Sequence, residues 1–465
     1  MGEYTRRIDI RIEIDLWDWP AGRMSRQGLN LTTSVFNYRF QKSIKNPQGS
    51  CQMTMLPQSI DTHILDIVKP LDVIRIYEFG RLKFMGYVTR VSYSGTINKD
   101  GKPGRDAVIS ANQFGGLLLT AAMGFGLGTA LGQDEGPILN AAAQLSIDIL
   151  KATADGVSFS EIVGLIYDSF ITFIESIEAT QNFVSYLDEY LDTSAGLSSV
   201  NTPLLPRQPE FFTGTEQQIT FWQAAEQLIE KPFNELWIDN GPRKVSIDSS
   251  EVSLPEKSCL VLRPTPFNGK KTTTGTLNLF DNLPSIHIDK DHMLRFDLAR
   301  GMDEVYTAYS VKSASFQPGE IARLLLGDMK VDEDRVGKYL FKPLITELFF
   351  TRMENEDGDS LEAQTADAQT VTQNAAETLL NWFSLNEDYL SGAITHMVPS
   401  DPDADPKIGD KITVYGIEGF FYVEGIAHTW QYQGPLKSSA TVTRGYNRTK
   451  KIEVKDKIFR RNQIQ

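Results

Sequence analysis

Five histidines and 60 acidic residues are the groups with which this 465-residue chain could do acid–base or metal chemistry. His63, His287, His292, His396 and His428 form no HExxH pair, and neither Cys51 nor Cys259 stands at zinc-ligand spacing from a partner. On an extended segment His287, Asp289 and Asp291 share one face and could hold a cation; the polar outer face of a strand or loop has the same pattern. Asp401-x-Asp403-x-Asp405 opens like a calcium loop. Pro406 and Ile412, however, occupy the places of the turn glycine and the bidentate glutamate, so it reads as an acidic turn ahead of a strand. Gly269-Lys270-Lys271-Thr272 echoes a phosphate loop, but Pro264 replaces the first glycine and no Ser or Thr follows Lys270. Gly124-x-Gly126-x-Gly128 has no strand before it, no G-x-S-x-G elbow exists, and no carboxylate pair is singled out for glycoside cleavage. The sequence predicts no catalytic, no cofactor-binding and no metal-binding residue, hence a protein that is not an enzyme.

The remaining chemistry is that of packing and assembly. The net charge of −14 argues against a general nucleic-acid binder, which needs a basic stripe, and is compatible with a surface that DNA passes without sticking. Simple solubility accounts for it equally well. The segment MGEYTRRIDIRIEID alternates charge with isoleucine and lacks the apolar core of a leader. Cys51 and Cys259 lie far apart in strand-like runs and are expected as buried free thiols.

A β meander organises the chain. Asp410 opens a run in which Ile412 and Val414 alternate with Lys411 and Thr413; Phe420 to Tyr432 returns, and Ala440, Val442 and Arg444 mark a third strand. The pattern occurs once before. Leu71-Asp-Val-Ile-Arg-Ile-Tyr77 matches Gly409-Asp-Lys-Ile-Thr-Val-Tyr415 at an offset of 338, and Gly86 and Tyr93 match Gly425 and Tyr432 at 339. A third strand, Ala107 to Gln113, follows this first copy. Before it, Arg6 to Asp15, Val35 to Lys42 and Ser50 to Leu56 read as strands, with a short helix at Ile60–Val68.

The reading is an α+β, β-rich chain carrying two similar small antiparallel β-barrels, a helical insertion and a middle α+β domain. The first barrel is expected over 1–114 and a Gly-rich and helical insertion over 115–205. In that insertion Gly115–Gly132 is free of charge, as a packed hairpin, an interface segment or a membrane-contacting segment would be. Ser158-x-x-Glu161 then caps a helix with Ile162, Ile166, Phe170, Phe173, Ile174 and Ile177 on its packed face. The middle domain spans 206–290, with a helix over Gln218–Glu230, a turn and strand over Lys231–Asp239 that Gly241 turns into Val245–Asp248, and Leu260–Phe267 at the end of the segment. Residues 291–385 supply strands of the second barrel, an acidic loop (Glu354–Asp359) and a helix carrying Val371, Ala375, Leu379 and Trp382. Val305-Tyr306 and Lys312-Ser313 match Val35-Phe36 and Lys42-Ser43 at an offset of 270, placing Val305–Lys312 among that barrel's early strands. Residues 386–446 complete it, although 206–250 could contribute, and 447–465 form a basic tail that either binds a partner or hangs free.

Five stretches stand out in order along the chain: ILDIVKPLDVIRIY (64–77) with FMGYVTRV (84–91), WQAAEQLIEKPFNELWID (222–239) with LVLRPTPF (260–267), VGKYLFKPL (336–344), WFSLNEDYLSGAITHMVP (382–399) and IGDKITVYGIEGFFYVEGIAHTW (408–430). In that order and spacing they resemble the hub proteins of phage baseplates and tail tips: the T-even baseplate hub, the late control gene D proteins, the hub half of VgrG-type spikes and, above all, Gram-positive prophage tail hubs. The segment 115–200 departs from the pattern. The resemblance implies a homotrimer whose six barrels ring an axis with pseudo-sixfold symmetry, joining the tail tube to a central spike and lining the DNA channel. Its implied partners are a tail tube or tube-initiator protein, the spike protein, baseplate wedge proteins and the tape measure protein, with DNA passing transiently and no stable membrane insertion. The implied place is the virion tail, assembled in the host cytoplasm. A hub of a tailocin or contractile secretion system shares these features, and a tail-associated cell-wall hydrolase is a further reading.

Overall fold

The computed structural model describes residues 9–18, 23–55, 67–97, 103–123, 159–177, 180–192, 219–229, 231–247, 250–266, 268–272, 275–300, 305–313, 329–348, 361–384 and 390–446. The helix expected at 60–68, the end of the Gly-rich segment, the acidic loop and the basic tail lie mostly or wholly outside them. The first half supplies seven strands: β1 (Ile10–Asp18), β2 (Arg23–Asn30), β3 (Val35–Ser43), β4 (Asn46–Met55), β5 (Val73–Glu78), β6 (Arg81–Ile97) and β7 (Pro103–Gln113). In β1 the alternation does what it predicts: Ile10, Ile12 and Ile14 are buried and Arg11 is exposed. Helix α1 (Gly115–Thr120), β8 (Ala122–Met123), helix α2 (Phe159–Ser176), β9 (Leu187–Leu191), β10 (Ile219–Thr220) and helix α3 (Phe221–Leu228) follow. Helix α3 starts at a Thr220/Gln223 capping box, which satisfies two of the amides a helix start leaves orphaned.

The middle strands are β11 (Asn234–Asn240), β12 (Arg243–Ile247), β13 (Ser250–Leu254), β14 (Ser258–Pro264), β15 (Asn268–Thr272) and β16 (Gly275–Asn278), followed by the one-turn helix α4 (Leu279–Asn282). Next come β17 (Ser285–Ile288), β18 (Met293–Arg300), β19 (Ala308–Ser313), β20 (Lys330–Val331), helix α5 (Glu333–Tyr339), β21 (Pro343–Leu348) and helix α6 (Leu361–Ser384). The last four strands are β22 (Leu390–Met397), β23 (Lys411–Val414), β24 (Ile417–Gln431) and β25 (Lys437–Tyr446).

Thirteen strands form one continuous sheet, in the order β18-β22-β25-β24-β3-β4-β7-β6-β5-β1-β2, with β23 beside β24 and β17 beside β23. The halves are therefore joined edge to edge, rather than built as two separate ladders. Each half buries its own apolar cluster: Ile12, Tyr38, Phe40, Met53, Ile74, Phe84 and Ile109 in the first, Ile394, Ile412, Phe421, Val423, Ile426 and Val442 in the second. Trp237, Val245, Cys259 and Val261 of the middle segment fill the second core, although β11 and β14 pair only with each other and β9 among the described strands. The outer face of the first meander (Val73, Tyr77, Met85, Tyr87) meets Phe114 and, from the insertion, Phe183, in one apolar cluster with Ile162, Ile166 and Phe170 of α2 and Phe221 of α3. The insertion thus seals a face that would otherwise be wet, which explains why nearly every residue of β5 is buried.

The duplication holds at the level of hydrogen bonds. Lys69 N donates to the Asp72 carboxylate at 2.7 Å, as Lys407 N does to Asp410 at 2.8 Å. Leu71 N and Gly409 N, both at left-handed φ (75° and 82°), donate to Val88 O and Val423 O. Thr89 and Glu424 each stand as the extra residue of a bulge against the third strand. The returning strands correspond at an offset of 335 (423 − 88), not the 339 that matching Gly86 with Gly425 suggests. The offset-270 match fails as well. β19 belongs to a separate sheet with β20 and β21, and β18, not β19, corresponds to β3. Their ladders to β4 and β22 carry the same bulge, at Phe36 and at Leu294, which fixes that offset at 258 (294 − 36).

Candidate functional site

The seam between the halves is the ladder of β24 on β3, running from Gly425 opposite Ser43 to Gln431 opposite Asn37. Ile44 N→Glu424 O (2.9 Å) and Tyr432 N→Phe36 O (2.7 Å) extend it at both ends. Phe40 stacks on His428 with ring centres 4.8 Å apart, and Tyr38 lies 5.7 Å from Trp430. A strand edge is the part of a sheet that pairs with whatever reaches it. Here each half satisfies the other's.

Charge is buried beneath this ladder. Glu78, wholly buried at the end of β5, accepts the Tyr38 hydroxyl at 2.7 Å and faces His428 Nδ1 at 2.6 Å. Asp405, in the loop before β23, pairs with Lys83 of β6 and lies 3.4 Å from His396 Nε2 and 3.6 Å from His428 Nε2. His428 thus stands between a carboxylate of the first half and one of the second. Burial alone would raise the Asp405 carboxyl, but Lys83, then His428 and His396, hold it well below the usual carboxylate range. The Lys83 amine, which burial would lower, is raised by Asp405 and Glu78. A buried ion pair of this kind does not by itself stabilise a fold over an apolar filling, but losing one partner leaves an uncompensated charge. It joins β6 of the first half to the loop before β23 of the second.

A second polar group ties the middle segment to the second half. Arg263 donates to Glu235 (2.6 Å), Gly409 O (2.9 Å) and the Tyr422 hydroxyl (2.9 Å), and Arg243 Nη1 meets Asp239 at 3.0 Å. A cleft of about 590 Å³ opens beside it, with Trp222, Leu236, Tyr306, Phe383 and Tyr422 among its lining residues and Glu235 already held by Arg263.

The residues singled out by sequence are scattered. His287 bonds to Thr413 and His292 to Asp289, at 2.9 Å each, and no group of metal-ligating side chains exists among the described residues. Lys270–Thr272 belong to the hairpin strand β15. Both thiols are free and buried, and burial pushes both well up. Asp403 is exposed, as an acidic turn predicts, but Asp405 is not. Sequence reading missed the Glu78–His428–Asp405–Lys83 group, whose partners lie up to 350 residues apart. Its one local sign was a histidine and an acid at alternation positions that a β pattern reserves for the core. Among the described residues no helix is long and apolar enough to cross a membrane.

This β-rich chain, with a duplicated meander joined edge to edge and packed against an α+β middle segment, shares its fold with a solved tail protein. The tail protein from Neisseria meningitidis superposes with a TM-score of 0.50 at 10% identity, over 94% of this chain and 96% of that one. The 43 kDa tail protein of prophage MuSo2 from Shewanella oneidensis gives a TM-score of 0.48 at 11% identity, over 94% and 99%. A chain of the Francisella PdpA–VgrG complex gives 0.41 at 9%, over 97% of this chain and 61% of that one. No protein-family profile and no curated protein matches the sequence.

Proposed function

We propose that the protein is the structural, non-catalytic hub of a phage tail tip: a homotrimer in which six similar half-chains ring one axis, with the tail tube on one side and the central spike on the other. The ring would line the passage for DNA, which the acidic chain would not retain. The observation that carries this reading is the seam. Two halves of one chain, alike down to their bulges, meet by one strand edge inside the subunit, and a ring that repeats this contact between subunits is the assembly it supports. Symmetric closed assemblies are the rule for soluble oligomers, and a repeated head-to-tail contact closes when its rotation divides a circle. The resemblance to tail hubs supplies the number three, and with it wedge and tape measure proteins as further neighbours.

The test is light scattering and electron microscopy of the purified chain, alone and with tail tube and spike proteins. A threefold particle with six similar lobes, stacking on the tube, is the expected result. A chain that stays monomeric with both partners overturns the reading.

A further inference from the structure

The seam has two exposed counterparts, and they fit one another. Mapping β3 onto β18 and β24 onto β6 by the shared bulges carries the seam to two places that no described strand covers. One is the outer edge of β18, which pairs only with β22. The other is the outer edge of Arg90–Ile97 in β6, because β5 pairs with β6 only from Arg81 to Tyr87. Exposure follows this division. His428 is 1% exposed inside the seam, whereas its counterpart Tyr93 is 38% exposed. Tyr38 and Phe40 are 1% exposed each, whereas their counterparts Phe296 and Leu298 are half-buried. The counterpart of Phe36, Leu294, is 47% exposed.

From this we infer that β18 of one copy pairs antiparallel with Arg90–Ile97 of the next copy of this chain, in the register of the seam. Ser43 opposite Gly425 and Asn37 opposite Gln431 define that register. Carried across, it sets Arg300 opposite Val91, Ala299 opposite Ser92, Leu298 opposite Tyr93, Asp297 opposite Ser94, Phe296 opposite Gly95 and Arg295 opposite Thr96. The occupant is a second copy rather than a foreign strand because the complementary edge is on the same molecule and its internal equivalent is already seated there. The contact is head-to-tail: each copy offers β18 to one neighbour and β6 to the other. It buries Tyr93 against Leu298 as His428 is buried against Phe40. The inference rests on the hub reading for the number of copies, and on the register alone for which residues meet.

The test uses the full chain with Ser92→Cys and Ala299→Cys together; the native thiols Cys51 and Cys259 are buried and silent. Residues directly opposite in an antiparallel pair have Cα atoms ~4.5–5.5 Å apart, within disulfide range. Mild oxidation is expected to give covalent dimers and a band that closes at the size of the native particle. Either single variant should give at most a trace. The pair Arg90→Cys with Ala299→Cys reads a register slipped by two, and is expected to cross-link poorly. A particle of unchanged size that cross-links only in the slipped pair, or in neither pair, overturns the inferred contact and leaves the hub reading standing. A chain that neither associates nor cross-links, even with tube and spike proteins present, overturns both.

Discussion

Asp405 lies in what reads locally as a solvated acidic turn, between exposed Asp403 and half-buried Lys407, yet it is 1% exposed. Nothing adjacent in sequence announces this, because Lys83 comes from 322 residues away. Local polarity reports what a residue prefers in water, and a buried charge is decided by partners the fold brings in. Asp405→Asn is therefore expected to destabilise the chain by about 3–5 kcal/mol at neutral pH, the cost of leaving a buried cation without its counterion. The pH dependence follows from the depressed carboxyl. Its contribution is full above the unfolded value of about 4 and is lost as pH falls towards the folded one. The gap in melting temperature between wild type and variant should then narrow steadily from pH 5 to about pH 2. A gap that stays constant over that range would mean Asp405 is not ionised in the fold.

Strand identity and helix faces were legible because they are local: Ile162, Ile166, Phe170 and Ile174 recur at helical spacing and are buried along α2, and the isoleucines of β1 are buried at every second place. Register was not. Gly86 and Gly425 invite alignment, but each is glycine for its own reason. A Cβ at Gly86 would stand 2.1 Å from Asn112 O, whereas at Gly425 it would come within 3.1 Å of Lys42 O across the seam. Identity of residue type thus pointed to an offset four residues away from the one the hydrogen bonds set. The repeated turn has a similar asymmetry that can be measured. Leu71 and Gly409 occupy the same left-handed position, but a Cβ at Gly409 would meet Arg263 Nη2 at 2.6 Å, and Arg263 cannot swing aside while it holds Glu235 and Tyr422. Gly409→Ala is expected to lose more than the ~1–2 kcal/mol of a left-handed L-residue, read from urea midpoints. Leu71→Gly trades backbone relief against half-buried side-chain area and should stay within about 1 kcal/mol of the parent. Equal losses at the two sites would dissolve the equivalence of the turns.

For the molecule as a whole, the consequence of a duplicated chain with one internal seam is that its two outer edges are different surfaces. A two-fold contact would set like against like; this one sets β18 against β6. Blocking one edge therefore leaves the other fully competent. A lysine on a strand edge is a charge that pairing must desolvate, and proteins use it to keep edges apart. Leu298→Lys blocks the first edge and Tyr93→Lys the second, and each variant alone is expected to sediment as a monomer. Mixed in equal amounts, they should form a 1:1 dimer and nothing larger, because the intact β6 edge of the Leu298→Lys chain accepts the intact β18 of the Tyr93→Lys chain while both remaining edges are blocked. Analytical ultracentrifugation of the separate and mixed variants distinguishes the arrangements. A dimer in either variant alone would mean a two-fold contact, and a mixture that stays monomeric would mean that the two edges do not meet. Only head-to-tail pairing gives monomers apart and a dimer together, and head-to-tail pairing is what a chain needs if its own seam is to be repeated around an axis.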